Sequence, residues 1–134
     1  MDKKTNMQKF FDRLGLALAT GCGVHCLLMP LLVLAFPLLA GTFFTEEAFH
    51  LGMLAVVVPA TGMAAFLGCR RHRDKAVVWL LASGLVFLVA AVSVGHQVAG
   101  ENGERVTTLA GVLLLAFGHI RNLRLCYPRG DRLT

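Results

Sequence analysis

The hydrophobic residues of this chain fall into four long blocks separated by short polar segments. The blocks cover about residues 14–39, 50–68, 76–95 and 106–125. Each approaches or exceeds the roughly 20 residues that an α-helix needs to cross the hydrocarbon core of a bilayer. Short links force consecutive helices to run antiparallel. The pattern therefore predicts an all-α integral membrane protein, a single domain over residues 1–134 with four transmembrane helices in an up-down bundle.

The composition agrees with this prediction. Hydrophobic residues make up 56% of the 134 residues and charged residues only 16%, whereas about a quarter of a soluble domain is charged. The first block is also much longer than the 7–15 apolar residues typical of a cleaved signal peptide. We therefore expect the first block to be retained as a membrane span.

The net charge of +5 is distributed unevenly along the chain. Of the 13 basic residues, 12 lie before the first block, between the second and third, or after the fourth; Arg105 is the exception. The other two connections, about 41–47 and 96–105, carry four glutamates instead. The positive-inside rule assigns the basic segments, and so both termini, to the cytoplasm. The positions of the basic residues are thus explained by membrane topology. The expected partner is the lipid bilayer, and the net positive charge gives no support to a nucleic-acid partner.

A pair of thiols occupies the middle of the first block. Cys22 and Cys26 are four residues apart, so they share a helix face, with Cβ atoms roughly 5–6 Å from each other. Counted from Leu14 at 1.5 Å per residue, they lie roughly 12 and 18 Å into the membrane. Pro30 has no N–H to offer the carbonyl of Cys26, so the helix is expected to be loosened there. The pair is therefore predicted near the midplane.

The chemistry that suits such a pair is the binding of a soft metal ion. Thiolates select soft ions, and a divalent ion bound by two thiolates has no net charge, which matters where an isolated charge is costly. A two-coordinate ion such as Hg²⁺ needs only these two ligands, whereas zinc usually takes four. The adjoining His25 is a further candidate ligand. The alternative is that both cysteines only pack, since cysteine behaves as a small hydrophobe.

The fourth block carries a second set of candidates on one helix face. His119, Asn122 and Cys126 follow the spacing i, i+3, i+7. If Cys126 lies near the inner interface, His119 is roughly 10 Å deeper, close to the depth of Cys22. His119 is then a candidate third ligand or proton acceptor, and Cys126 a candidate thiol that receives the ion at the cytoplasmic face. The alternative interpretation is a polar helix end with an incidental cysteine.

Three further residues at the ends of the blocks have two interpretations each. His50 and His96 lie on the predicted outer side, where they either collect cations or anchor the helices at the interface. Cys69 lies beside Arg70 on the inner side, either as a relay thiol or as an incidental cysteine.

Several segments together resemble a known family. They are Asp12-Arg13-Leu14-Gly15, the thiol segment GCGVHCLLMPLL, the basic turn RRHR and the closing segment HIRNLRLC. In this order, over about residues 12–126, they resemble the MerC-type mercury resistance proteins. The resemblance implies a four-helix bacterial inner-membrane protein without a permanent cofactor, which takes up Hg²⁺ for reduction in the cytoplasm. It also implies that Cys22 and Cys26 are the carrier pair, with a cytoplasmic reductase or thiol acceptor as partner.

The leading hypothesis is a carrier of mercuric or a related soft metal ion, and not an enzyme. Candidate metal ligands are Cys22, Cys26, His25, His119 and Cys126. One alternative is a quinone-coupled thiol–disulfide oxidoreductase, although such proteins usually place their cysteines near the outer face. Another is a metal-independent subunit of a membrane assembly.

Overall fold

Four long helices make up most of the part of the chain that the structure describes. The computed structural model describes residues 3–42 and 47–127. The helices are α1 (Lys3–Ala35), α2 (Glu47–His72), α3 (Lys75–Ala90) and α4 (His96–Cys126). Each contains a segment long and apolar enough to cross a membrane, namely Asn6–Ala35, Ala48–Gly68, Lys75–Val94 and Gln97–Cys126. The predicted all-helical bundle with four spans is confirmed, and the chain is a multi-pass membrane protein.

The outer connection between α3 and α4 is more helical than predicted. Residues 96–105 were expected to form a loop, but they are helical on both sides of Gly100. Residues 96–99 continue the π-helical turn Ala91–Gly95 that follows α3, and the main part of α4, which is antiparallel to α3, runs from residue 101 to Cys126. A kink at Gly100, with φ of 67° and ψ of −175°, interrupts the helix, and glycine adopts this left-handed φ without steric cost. Because this segment is rich in polar residues, the hydropathy pattern does not mark it as helical. Glu101 and Arg105 form an ion pair one turn apart, which favours helix.

The buried face of α1 faces the buried face of α4. On α1, Asp12, Gly15, Ala19 and Cys22 are buried at intervals of three and four residues, and Cys26 follows half-buried. The corresponding stripe on α4 is Thr108, Val112, Leu115, His119, Asn122 and Cys126, all buried. The two helices run antiparallel, because Gln8 contacts Cys126 and Gly15 lies against His119. The candidate site residues of both helices are therefore stacked in layers along the bundle axis.

The middle layers of the bundle are apolar. Ala19, Leu115 and Val77 are completely buried there and belong to one hydrophobic cluster with Cys22. Large apolar side chains also point away from the bundle, such as Leu34 at 81% and Trp79 at 73% exposed. An apolar exterior of this kind suits a lipid environment.

The two ends of the bundle hold different parts of the chain. We call the end that holds the start of α1, the link between α2 and α3, and the end of α4 the basic end. The opposite end holds the end of α1, the 3₁₀ turn Pro37–Leu39 and the start of α4. At the basic end, the Asp74 carboxylate caps α3 by accepting from the N–H groups of Ala76 and Val77. It also accepts hydrogen bonds from Arg121, at 2.9 Å from Nη2.

The Asp74–Arg121 contact predicts a small pH dependence of stability. The hydrogen bond from Arg121 is the main cause that lowers the pKa of Asp74 below its usual 3.8. The contribution of this ion pair is therefore fully present above about pH 3.8 and is lost as the pH falls through the lower, folded-state pKa. Asp74→Asn keeps a capping oxygen but loses the charge. We expect its melting temperature in detergent to be slightly below that of wild type at pH 7, with the difference disappearing as the pH falls below the folded-state pKa of Asp74. A difference that stays constant with pH would contradict this assignment.

Candidate metal site

A cavity of about 700 Å³ lies at the opposite end of the bundle. The first half of α4 and the second half of α1 provide most of its walls, and the π-helical turn, His50 of α2 and the segment after α1 complete it. Its chemically distinctive lining residues are His25, Cys26, Met29, His50, Glu101, Glu104 and Arg105. The cavity thus brings soft ligands and charged groups from separate parts of the sequence together.

The two thiols of α1 have different surroundings. Cys26 is half-buried and lines the cavity, whereas Cys22 is only 7% exposed and belongs to the apolar core one turn deeper. Both are thiols rather than disulfides in this structure. The helix runs unbroken past Pro30, which also lines the cavity. One thiol of the pair is therefore accessible from the cavity, and the second lies directly behind it.

His25 lies at the cavity together with Cys26. Its ring stacks on Phe49 with centroids 4.3 Å apart, and the ring of His50 lies edge-on at 5.8 Å. His50, which was considered as a cation collector, thus shares the cavity with the predicted ligand His25. The side chain of His96 lies outside the described residues.

Met29 was not among the candidate ligands predicted from the sequence. Its thioether is a soft ligand, and it lines the cavity three residues after Cys26, so the spacing Cys-x-x-Met was the available signal. Arg105 and Glu104 were interpreted only through topology, and they too line this cavity.

His119 belongs to a separate polar cluster closer to the basic end. Its Nδ1 lies 3.1 Å from Oδ1 of Asp12, and its Nε2 lies 3.4 Å from the hydroxyl of Thr61. The amide of Asn122 donates to both carboxylate oxygens of Asp12, at 2.8 and 2.9 Å, and to the carbonyl of Ala64 at 3.3 Å. We call Asp12, Thr61, His119 and Asn122 the Asp12 cluster. Each of the four is at most 1% exposed.

Two glycines make room for this cluster. A Cβ atom on Gly15 would overlap the ring of His119, and one on Gly68 would overlap the amide of Asn122. The polar side chains of α4 therefore pack directly against the backbones of α1 and α2. Such close approach at small residues is characteristic of helix packing in membranes.

The expected depth of His119 was wrong. The ring lies at the level of Gly15, seven residues from Cys22, which corresponds to about 10 Å along α1. Ala19 of α1 lies between these two levels, and Leu115 lies one turn from His119 on α4. Within the described part of the chain, no three His, Cys, Asp or Glu side chains cluster as a metal site. A site formed by two thiols alone needs no such cluster, and His119 as a ligand stays a prediction.

Cys126 lies at the basic end, where it is only 2% exposed. Gln8 donates a hydrogen bond to its Sγ at 2.6 Å. The neighbouring Tyr127 is equally buried, and the ammonium of Lys9 lies 4.6 Å from its ring centroid. Cys126 is therefore covered by α1 rather than presented at an open rim. The side chain of Cys69 lies outside the described residues.

Comparison with known proteins identifies one family. No curated protein and no solved structure matches the chain at a significant level. The sequence model of the MerC mercury resistance proteins matches residues 12–124. The matched range begins at Asp12 and includes the thiol pair, the cavity residues of α4 and the whole Asp12 cluster. The chain therefore belongs to the MerC family, whose members are membrane proteins of mercury resistance and transport.

Proposed function

We propose that this protein carries mercuric or a related soft metal ion across the bacterial inner membrane, from the cavity to the cytoplasm. Cys26 binds the ion first, and Cys22 completes a two-thiolate site. The observation that carries this proposal is the arrangement of the two thiols, since Cys26 lines the cavity and Cys22 lies one turn deeper in the apolar core.

The electrostatics of the core support a divalent soft ion as the substrate. Cys22 lies among apolar side chains such as Ala19, Val112 and Leu115, where a net charge is expensive. A divalent ion that binds two thiolates, with loss of both thiol protons, forms a neutral unit. Hg²⁺, which accepts two ligands, fits this pair better than Zn²⁺, which usually requires four. Cu⁺ and Ag⁺ are soft as well, but with two thiolates they leave a net negative charge.

The direction of transport in this proposal rests on charge. The basic end holds Lys3, Lys4 and Lys9 at the start of α1 and Arg121 and Arg124 at the end of α4. Under the positive-inside rule this end faces the cytoplasm and the cavity faces outward. The ion then enters beside His25 and His50, moves onto the thiol pair and leaves past the Asp12 cluster. A cytoplasmic reductase or thiol acceptor receives it.

The test is Hg²⁺ binding to the reduced, detergent-purified protein after excess thiol has been removed. Wild type is expected to bind one ion tightly. In Cys22→Ser/Cys26→Ser, this affinity is expected to fall by about 100-fold or more, because hydroxyl oxygens are hard ligands. Cys126→Ser is the matched control, since it removes a buried thiol outside the cavity, and it should retain the site. Equal binding by wild type and the double variant would refute the proposal.

A further inference from the structure

The structure also points to the form in which the ion arrives. We propose that the cavity binds Hg²⁺ as a neutral, two-coordinate complex with a small amino-acid thiol of the cysteine type. Cys26 and then Cys22 displace the two thiols. This inference rests on the proposed carrier function and names the substrate of that same site.

The size of the cavity is the first argument. Its volume of about 700 Å³ is far larger than a single metal ion requires. It lies within the roughly 300–1,000 Å³ that is usual for sites that bind small organic molecules. The cavity therefore has room for the ion together with the two thiol ligands that it carries in solution.

The second argument is that soft ligands and charged groups lie on different walls of the cavity. The soft groups His25, Cys26 and Met29 all come from α1, whereas the charged groups Glu104 and Arg105 come from the facing α4. Glu101, the ion-pair partner of Arg105, belongs to the same wall of α4. A metal ion is thus attracted to one wall, and its organic ligands face a wall with charges of both signs.

The signs of these charges select the ligand class. A guanidinium binds a carboxylate through directed hydrogen bonds, and a carboxylate of Glu104 suits an ammonium group. Both Glu104 and Arg105 are half-buried, so their interactions are less screened than those of fully exposed charges. An amino-acid thiol carries one carboxylate and one ammonium group beside its sulfur. Complexes of uncharged thiols lack the charged groups that would form ion pairs with this wall.

The transfer itself is ligand exchange. In the first step the bond between Hg and one external sulfur breaks, a bond between Hg and Sγ of Cys26 forms, and the proton of Cys26 leaves on the departing thiol. In the second step Cys22 displaces the other external thiol in the same way. No electron is transferred, and every species of the metal remains neutral. Because each departing thiol takes up the proton, no base is needed beside the pair, and His119 lies about 10 Å away from Cys22 along α1.

The test uses the full chain in phospholipid vesicles that contain trapped thiol, with Hg²⁺ supplied as its 2:1 complex with either L-cysteine or 2-mercaptoethanol. We expect wild type to take up the cysteine complex with the lower KM. In Arg105→Gln the KM for the cysteine complex is expected to rise about tenfold, the effect of losing a hydrogen bond to a charged group. The KM for the mercaptoethanol complex should not change.

Two further variants separate the possible outcomes. Arg124→Gln, an exposed arginine at the other end of α4, is the matched control and should alter neither KM. Glu104→Gln should weaken the cysteine complex in the same selective way, which guards against a folding defect specific to Arg105. Uptake that needs Cys22 and Cys26 but does not distinguish the two complexes would overturn this inference alone. Uptake that is independent of both cysteines would overturn the carrier function itself.

Discussion

Gly15→Ala is expected to lower the free energy of unfolding by about 3 kcal/mol, a combination of overpacking and lost hydrogen bonds. The new methyl group would overlap the ring of His119, which contacts Asp12 on one side and Thr61 on the other. The ring cannot move away without losing these contacts. Unfolding in mixed detergent micelles, followed by circular dichroism, measures the change.

Gly21→Ala is the matched control on the same helix. Gly21 is exposed, and a Cβ atom there would meet nothing within 4 Å. The substitution should be neutral or slightly stabilising, because alanine has a better helix propensity than glycine. If both variants unfolded alike, the close packing of His119 on Gly15 would not contribute to stability.

Asp12→Ala is expected to destabilise the protein by about 3 kcal/mol, because buried donors lose their acceptor. Nδ1 of His119 and the amide of Asn122 both contact this carboxylate, and the shortest hydrogen bonds of the amide are those to Asp12, whereas its bond to the Ala64 carbonyl is longer. Water does not replace the lost partner readily, since these side chains are completely buried. The same detergent unfolding experiment measures the loss.

Two comparisons identify the cause of that loss. Asp12→Asn retains one acceptor oxygen and should recover part of the stability. The double variant Asp12→Ala/His119→Ala should lose less than the sum of the single changes, because the two residues are in contact. Strict additivity would show that Asp12 and His119 do not stabilise each other. The folded fraction of each variant should still bind Hg²⁺ normally if the thiol pair alone forms the site.

The number of spans was predictable because lipid imposes a simple rule on the sequence. Side chains such as Leu34 and Trp79 remain apolar although they point out of the bundle, so each helix is marked by an apolar block. The rule fails where a helix is polar. The first turns of α4, with Glu101 and Arg105, form helix at the opposite end of the bundle, and hydropathy assigned them to a loop.

The position of Cys22 and Cys26 on one helix face was predictable from the sequence, whereas the rest of their surroundings was not. Cys22 and Cys26 lie on one helix, so their spacing alone places them together. The level of His119 depends instead on how α4 is aligned with α1, and that alignment depends on Gly15 and on hydrogen bonds to Asp12. The cavity depends on still more distant segments, and no local pattern marks it.

The dense packing around the Asp12 cluster separates the thiol pair of the proposed carrier from the basic end. In this conformation the completely buried Ala19 and Leu115, followed by the Asp12 cluster, lie between Cys22 and the basic end. In the proposed transport, an ion that leaves Cys22 toward that end has to wait until α1 and α4 separate, and helix movements of this kind take microseconds to milliseconds. Sodium and potassium ions meet the same packed layers, and thiols are poor ligands for these hard ions. In this conformation the bundle would thus leave the sodium and potassium gradients across the membrane intact while the proposed carrier is being loaded.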